Sequence, residues 1–227
     1  AAPPAKDFVA ALAARPIAVI AAIKKASPSA GAIRPGLNVP GQARAYAAGG
    51  AAALSVLTDA PFFGGSLADL AAARGAVDLP VLRKDFIIDP MQLHQARSAG
   101  ADAALLIAAA LTPEQLAALY AEALAVGLTP LIEVHAVKEL GPVLELEPPL
   151  IGVNNRDLTT LEVDLATAER LRGIIPAHIP VVAESGISGP ADVARLAAAG
   201  IRAFLVGTAL MKSAEPTAAL RALIGAA

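Results

Sequence analysis

Ionisable and amide side chains stand where short apolar runs of this 227-residue chain end, and that placement says where its chemistry lies. Lys24 follows the run Ile17–Ile23, and Lys84 follows Pro80–Leu82 within Pro80-Val-Leu-Arg-Lys-Asp-Phe-Ile-Ile-Asp-Pro90. A lysine at the end of a buried strand sits at the edge of a core. Desolvation there lowers its pKa and suits it to acid or electrostatic catalysis. One such lysine alone could equally snorkel to solvent; here the pattern recurs. Glu133 interrupts Leu131-Ile-Glu-Val134, Asn154 follows Leu150–Val153, and Glu184 follows Pro180–Ala183. Against a layer of helices the Glu133 carboxylate would lack partners, at a cost of about 2–7 kcal/mol. At a polar mouth beside Lys84 and Lys24 it would form an acid/base set whose pKa values depend on one another. The alternative for these groups is an ion pair that only seals the mouth. Ser185-Gly186 and Gly207-Thr208 follow the last two apolar runs, each expected ahead of a short helical start. Small residues there would expose backbone N–H groups suited to a phosphate.

The elements that must position these groups alternate along the chain. Apolar runs of strand length lie at Ile17–Ile23, Ala52–Leu57, Pro80–Leu82, Ala103–Ile107, Pro130–Val134, Leu150–Val153, Pro180–Ala183 and Ala203–Val206. They are continuous rather than alternating, as expected of parallel strands buried on both faces. Helical patterns lie between them, several opening on Pro (Asp89-Pro90, Thr112-Pro113, Glu215-Pro216) and closing on Gly (Gly50, Gly100, Gly127, Gly200). Eight such units in about 210 residues make a single-domain (β/α)8 barrel, over residues 17–227. The alternative, an open doubly wound sheet, is disfavoured because no Gly-x-Gly-x-x-Gly follows the first strand. Residues 1–16 form a short lead, with Asp7 placed to cap a helix over Phe8–Ala14.

Composition narrows the function. There are no cysteines, which removes disulfides, thiolate metal sites and cysteine nucleophiles. His94, His135 and His178 are not at metal-ligand spacing, so no metal is expected and each is read as a helix or loop residue. A net charge of −2 and few aromatics give no reason to expect nucleic acid as a partner. No apolar run approaches the roughly 20 residues of a membrane span, and the N-terminus lacks the pattern of a signal peptide. A cytoplasmic protein without a membrane partner is expected, acting on a phosphorylated, anionic small molecule.

At these residues the chain resembles the indole-3-glycerol-phosphate synthase family of tryptophan biosynthesis. The matching stretches are Lys24–Ser29, Ala53–Asp59, Phe62–Ser66, Pro80–Pro90, Leu105–Leu111, Ile132–His135, Ile151–Leu158 and Val182–Ile187, in the family's order. The resemblance implies a decarboxylating lyase that needs no cofactor. Its substrate would be 1-(2-carboxyphenylamino)-1-deoxyribulose 5-phosphate, closed to an indole with loss of carbon dioxide and water. It implies Lys84 as the general acid on the ketone oxygen and Glu133 as the carboxylate of proton transfer in the dehydration. Lys24 would hold the substrate carboxylate and can also act as an acid. Asn154 and Glu184 would orient the substrate hydroxyls and the lysines. Ser27, Ser185, Gly186, Gly207 and Thr208 would take the phosphate, and Phe63, Phe86, Leu105 and Leu158 the aromatic ring. A monomer is expected; association with other pathway enzymes is left open.

The chain departs from the family's usual pattern in several places. Ala22 stands where the family usually has a glutamate, two residues before Lys24, and its loss is expected to lower the lysine pKa values. Ala30 stands where a lysine is common, and Ala136 where an acidic residue is common. The lead is shorter than the family's active-site-covering extension, so poorer closure over substrate is expected. The alternative is therefore a synthase-derived or engineered barrel that binds the phosphorylated ligand with little or no turnover. Another isomerase chemistry, that of phosphoribosylanthranilate isomerase, is opposed by the absence of a cysteine base.

Overall fold

The computed structural model describes residues 3–28, 30–34 and 36–225; Ser29, which closes one of the matching stretches, lies outside them. In chain order the elements are α1 (Phe8–Ala13), β1 (Ala18–Ile23), a small hairpin of β2 (Ala26–Ser27) and β3 (Gly31–Ala32), α2 (Val39–Gly49), β4 (Ala53–Leu57), α3 (Ala60–Phe63), α4 (Leu67–Ala76), β5 (Val81–Lys84) and α5 (Pro90–Ser98). There follow β6 (Ala103–Ile107), α6 (Pro113–Ala125), β7 (Thr129–Val134), α7 (Leu140–Leu144), β8 (Ile151–Asn154), α8 (Ala166–Arg172), β9 (Val181–Glu184), α9 (Pro190–Ala198), β10 (Ala203–Val206), α10 (Thr208–Lys212) and α11 (Pro216–Ile224). The long strands are parallel and close in the order β1-β10-β9-β8-β7-β6-β5-β4. β1 pairs with β10 on one side and β4 on the other, so the sheet has no edge and the (β/α)8 barrel forms rather than the open sheet.

The two-residue period of a strand divides its side chains between two cores. On β1, Val19, Ala21 and Ile23 join the outer cluster beneath the helices, while Ala18, Ile20 and Ala22 join the cluster inside the barrel. The interior mixes small with large residues, Ala53, Ala103 and Ala203 beside Leu82, Leu105 and Leu131, which lets the layers interdigitate. α1 belongs to this inner cluster: Phe8 and Leu12 pack with Ala18, Ala52 and Leu150 at the N-terminal ends of the strands. Asp7 caps α1 by accepting from the Ala10 N–H at 2.8 Å. The helix thus plugs the end of the barrel opposite the mouth. Asp102 ties the plug to the strands, accepting from Lys6 N at 2.7 Å and Val81 N at 2.8 Å.

The helices begin and end as their sequences require. Asp89 and Thr112 form capping boxes with Gln92 and Gln115, each ahead of a proline in the first turn. Gly50, Gly100, Gly127 and Gly200 all have positive φ, a conformation that ends a helix and that glycine adopts without strain. Three strands run one or two residues further than their apolar runs. β5 reaches Lys84, β8 reaches Asn154 and β9 reaches Glu184, because backbone pairing continues where the side chains turn polar. The chemistry-bearing groups are therefore fixed in the barrel wall instead of in loops. Among the described residues, no helix is long and apolar enough to cross a membrane.

Candidate active site

At the C-terminal mouth, the Lys84 ammonium lies between two carboxylates, donating to Glu133 Oε2 at 2.9 Å and Glu184 Oε2 at 3.0 Å. Both glutamates are 1 % exposed. Asn154 donates from Nδ2 to Glu133 Oε1 at 3.1 Å. Lys84, Glu133, Glu184 and Asn154 thus form one connected group, inside the barrel as the sequence predicts for Glu133. The electrostatics differ from the expectation for Lys84. Burial does act against its charge, but the Glu133 and Glu184 carboxylates outweigh burial and hold its pKa above the ordinary lysine range. Burial would raise the Glu133 carboxyl, yet Lys84 and His135 overcome it and keep this group ionised well below the usual range. Glu184 receives only the one lysine bond, and burial pushes it up to about 7. At neutral pH the group therefore holds an ammonium, a firm carboxylate and a carboxyl poised to exchange its proton.

Lys24 stands apart from these carboxylates and donates from Nζ to Thr208 Oγ1 at 3.0 Å. Burial, followed by the charges of Arg156, Lys84 and Lys212, lowers its pKa to about 8. Ala22 offers it no counter-charge, and the downward shift expected at the mouth is found here rather than at Lys84. Ala22 faces the interior beside Ser55, its register partner on β4, whose buried hydroxyl has no hydrogen-bond partner among the described residues. Lys24 with Arg156 and Lys212 makes this side of the mouth receptive to a dianion.

Of the residues expected to take a phosphate, Gly207 and Thr208 open α10 beside Lys24; an added Cβ on Gly207 would lie 3.4 Å from Lys24 Nζ. Ser185 and Gly186 both have positive φ, 64° and 79°, and lead into an irregular loop; the short helix expected after them forms only after Gly207. Ser185 adopts this conformation at some cost in strain. An added side chain on Gly186 would also strike Val163 and Leu165 of the preceding loop. Ser27 is buried in the β2–β3 hairpin and accepts from Ala30 N at 3.2 Å, so its oxygen already serves its own turn.

The residues expected to seat a ring are not equivalent. Phe63 packs against the inner cluster, and Phe86 is 41 % exposed at the lip. Leu158 is also exposed, in the loop after β8. Leu105, with 1 % of its surface accessible, belongs to the inner cluster of the barrel. Phe62, absent from the expected set, meets Phe86 edge to face at 6.4 Å.

Other contributing residues carried weaker signals. Gly152 faces the interior on β8, where an added Cβ would collide with Glu184 Oε1; it clears the path by which Glu184 reaches Lys84. Asn155 points away from its neighbour Asn154, donating to Ser185 O at 3.1 Å and accepting from Ala168 N at 3.0 Å. It joins the loops that follow β8 and β9. His135 Nε2 lies 3.2 Å from Glu133 Oε1. Period two on β7 could have placed His135 on the face of Glu133; the metal-spacing criterion discarded it. Among the described residues, no group of His, Cys, Asp or Glu side chains could hold a metal ion.

The family model for indole-3-glycerol phosphate synthase matches residues 1–223. This chain belongs to that family. An indole-3-glycerol phosphate synthase of Azospirillum brasilense is 54 % identical over 206 residues, covering 91 % of this chain and 79 % of the relative. One from Rhodopirellula baltica is 52 % identical over 223 residues, covering 98 % and 86 %. Among solved structures, thiamine phosphate pyrophosphorylase from Pyrococcus furiosus matches with a TM-score of 0.70 over 97 % of each chain; at 16 % identity it shares the fold alone. The family is one of decarboxylating lyases that serve tryptophan biosynthesis, and its match over residues 1–223 includes the Lys84, Glu133 and Glu184 strand ends.

Proposed function

We propose that the chain converts 1-(2-carboxyphenylamino)-1-deoxyribulose 5-phosphate to indole-3-glycerol phosphate, with Lys84 as the acid that forms the carbon–carbon bond. The observation that carries this assignment is the ammonium held between two buried carboxylates at the mouth of the barrel. The substrate carries a phosphate and a carboxylate, which match the cationic side of the mouth around Lys24 and Thr208. Attack of the aromatic carbon on the ketone builds negative charge on the ketone oxygen. A fixed ammonium stabilises that charge and transfers its proton. The high pKa of Lys84 suits it to an alkoxide, itself a strong base.

Loss of that proton also changes Glu133. Without the ammonium, the buried carboxylate loses its main stabilising charge and its basicity rises. Glu133 is thereby prepared to take a proton in the later dehydration. Glu184, 3.0 Å from Lys84 and holding an exchangeable proton near neutral pH, can recharge the lysine. Loss of carbon dioxide restores aromaticity and asks little of the protein. Lys24, with a pKa near 8, is a second acid for the departing hydroxyl and an anchor for the substrate anion. A monomer in a cytoplasmic setting is part of the same reading.

The test uses the absence of tryptophan from the chain. On addition of the phosphorylated substrate, emission of indole type can come only from product. Growth of that emission in proportion to protein concentration is the expected result. A flat trace with calorimetric binding of the substrate would replace this reading with that of a ligand-binding barrel, for which Ala22 would be the first suspect.

A further inference from the structure

The two carboxylates around Lys84 are close to equivalent in burial and unequal in partners. Glu133 is met by Lys84 at Oε2, and by Asn154 at 3.1 Å and His135 Nε2 at 3.2 Å on Oε1. Glu184 is met by Lys84 at Oε2, and its Oε1 has no hydrogen-bond partner among the described residues. The asymmetry therefore lies in Asn154 and His135, and of these only His135 can carry charge.

His135 follows the last residue of β7, its side chain 11 % exposed between Glu133 on its own strand and Glu139 on the following turn. Glu139 Oε2 accepts from the His135 backbone N at 2.7 Å and lies 3.6 Å from ring Nδ1. Neither ring nitrogen makes an aligned hydrogen bond among the described residues, so the ring's main relation to its neighbours is one of charge. The other groups acting on this cluster are Lys138 beside Glu139, Asp157 from the loop after β8, and Lys84 and Glu184 across the interior. Burial works against an imidazolium here, but Glu133 and Glu139 overcome it and raise the pKa to about 9.

We propose that His135 is a positioning residue for the reaction: held by Glu139, it stands as an imidazolium against Glu133 and so assigns the ionised role to Glu133 and the exchangeable proton to Glu184. This rests on the synthase reading, in which the two carboxylates have different tasks. With a neutral residue at 135 the carboxylates would compete for one proton and for Lys84, and a fraction of the molecules would hold the proton on Glu133.

The first test does not depend on turnover. The chain has three histidines, so 15N shifts of the rings can be assigned by substitution and followed against pH. His135 is expected to be an imidazolium at pH 7.5, and Glu139→Gln is expected to bring its titration to lower pH. The second test is the pH profile of His135→Gln. Its rate at pH 6 should fall about tenfold relative to the original protein, the gap should close towards pH 9, and the effect should lie in kcat rather than KM. A merely structural loss would not follow pH in this way. A neutral ring at pH 7.5 overturns the assignment whether or not product forms, as does a His135→Gln profile parallel to the original. Absence of turnover in the original protein would instead count against the synthase reading, leaving the ring titration to decide the charge assignment.

Discussion

Lys84→Ala separates the proposed catalytic role of the ammonium from its structural one. Loss of an acid or base of this kind costs about 10²–10⁴-fold in rate. Lys84 also bridges Glu133 and Glu184, so a fall of at least 10³-fold in kcat is expected, read from indole emission. Its removal leaves two nearly inaccessible carboxylates facing each other, with His135 beside Glu133. Breaking a buried ion pair by removing one partner costs about 3–5 kcal/mol. Here the cost should depend on pH. Glu184 already has a folded pKa pushed up to about 7, and loss of the lysine raises it further. A carboxyl whose folded pKa exceeds its unfolded value binds more protons folded than unfolded, so stability falls as pH rises through that interval. Urea unfolding of Lys84→Ala should show a smaller deficit at pH 5.5 than at pH 8, because at pH 5.5 one carboxyl is neutral. Turnover within tenfold of the original protein would refute the acid role. An equal deficit at both pH values would refute the account of Glu184 as the protonated partner.

Gly152→Ala is expected to retain the fold but displace Glu184, since its Cβ would collide with Glu184 Oε1; kcat should fall about 10²-fold with binding of substrate little changed, and a normal rate would show that Glu184 need not lie there. Lys24 has a lowered pKa of about 8, so its acid form disappears above that pH: kcat/KM should decline with a limb near pH 8. Ala22→Glu, which restores a carboxylate beside Lys24, should move that limb upward and raise the rate; an unmoved limb would assign it to another group. Phe8→Ala removes the largest side chain of the α1 plug, and should cost about 3–5 kcal/mol by urea unfolding while leaving kcat intact at 25 °C. A loss of kcat equal to that of a mouth substitution would refute the separation of the two ends.

The alternation of apolar runs and helices was enough to specify the barrel, because the runs are buried on both faces and several helices carry their own start or stop in Asp, Thr, Pro or Gly. The strand ends were less legible. Hydropathy ends β5 at Leu82, β8 at Val153 and β9 at Ala183, whereas hydrogen bonding carries each ladder on into the polar residues. A scale that scores side chains is blind to a backbone that continues. The placement of Glu133 could be argued from desolvation cost alone, and its partner Lys84 followed from topology. The direction of the Lys84 pKa could not, since burial and ion pairing act oppositely on a lysine and only distance decides between them. At 2.9 and 3.0 Å the carboxylates win; at Lys24, which has a hydroxyl and several cations for company, burial wins. An apolar residue such as Leu105 looks the same in sequence whether it lines a mouth or underlies it.

The contrast between the two lysines has a consequence for Ala22. A carboxylate at that position would hold Lys24 charged well above pH 8, as Glu133 and Glu184 hold Lys84. With alanine there, Lys24 can lose its proton within the neutral to mildly alkaline range. Part of the free protein above pH 8 therefore presents an amine that binds anions poorly. A bound phosphate and carboxylate would supply the missing negative charge and restore the ammonium. Substrate itself thus completes the charge balance of the mouth, and the limb near pH 8 should appear in kcat/KM, which reports the free protein, and move to higher pH in kcat, which reports the complex. Coincident limbs in the two profiles would mean that Lys24 does not meet the substrate's anions.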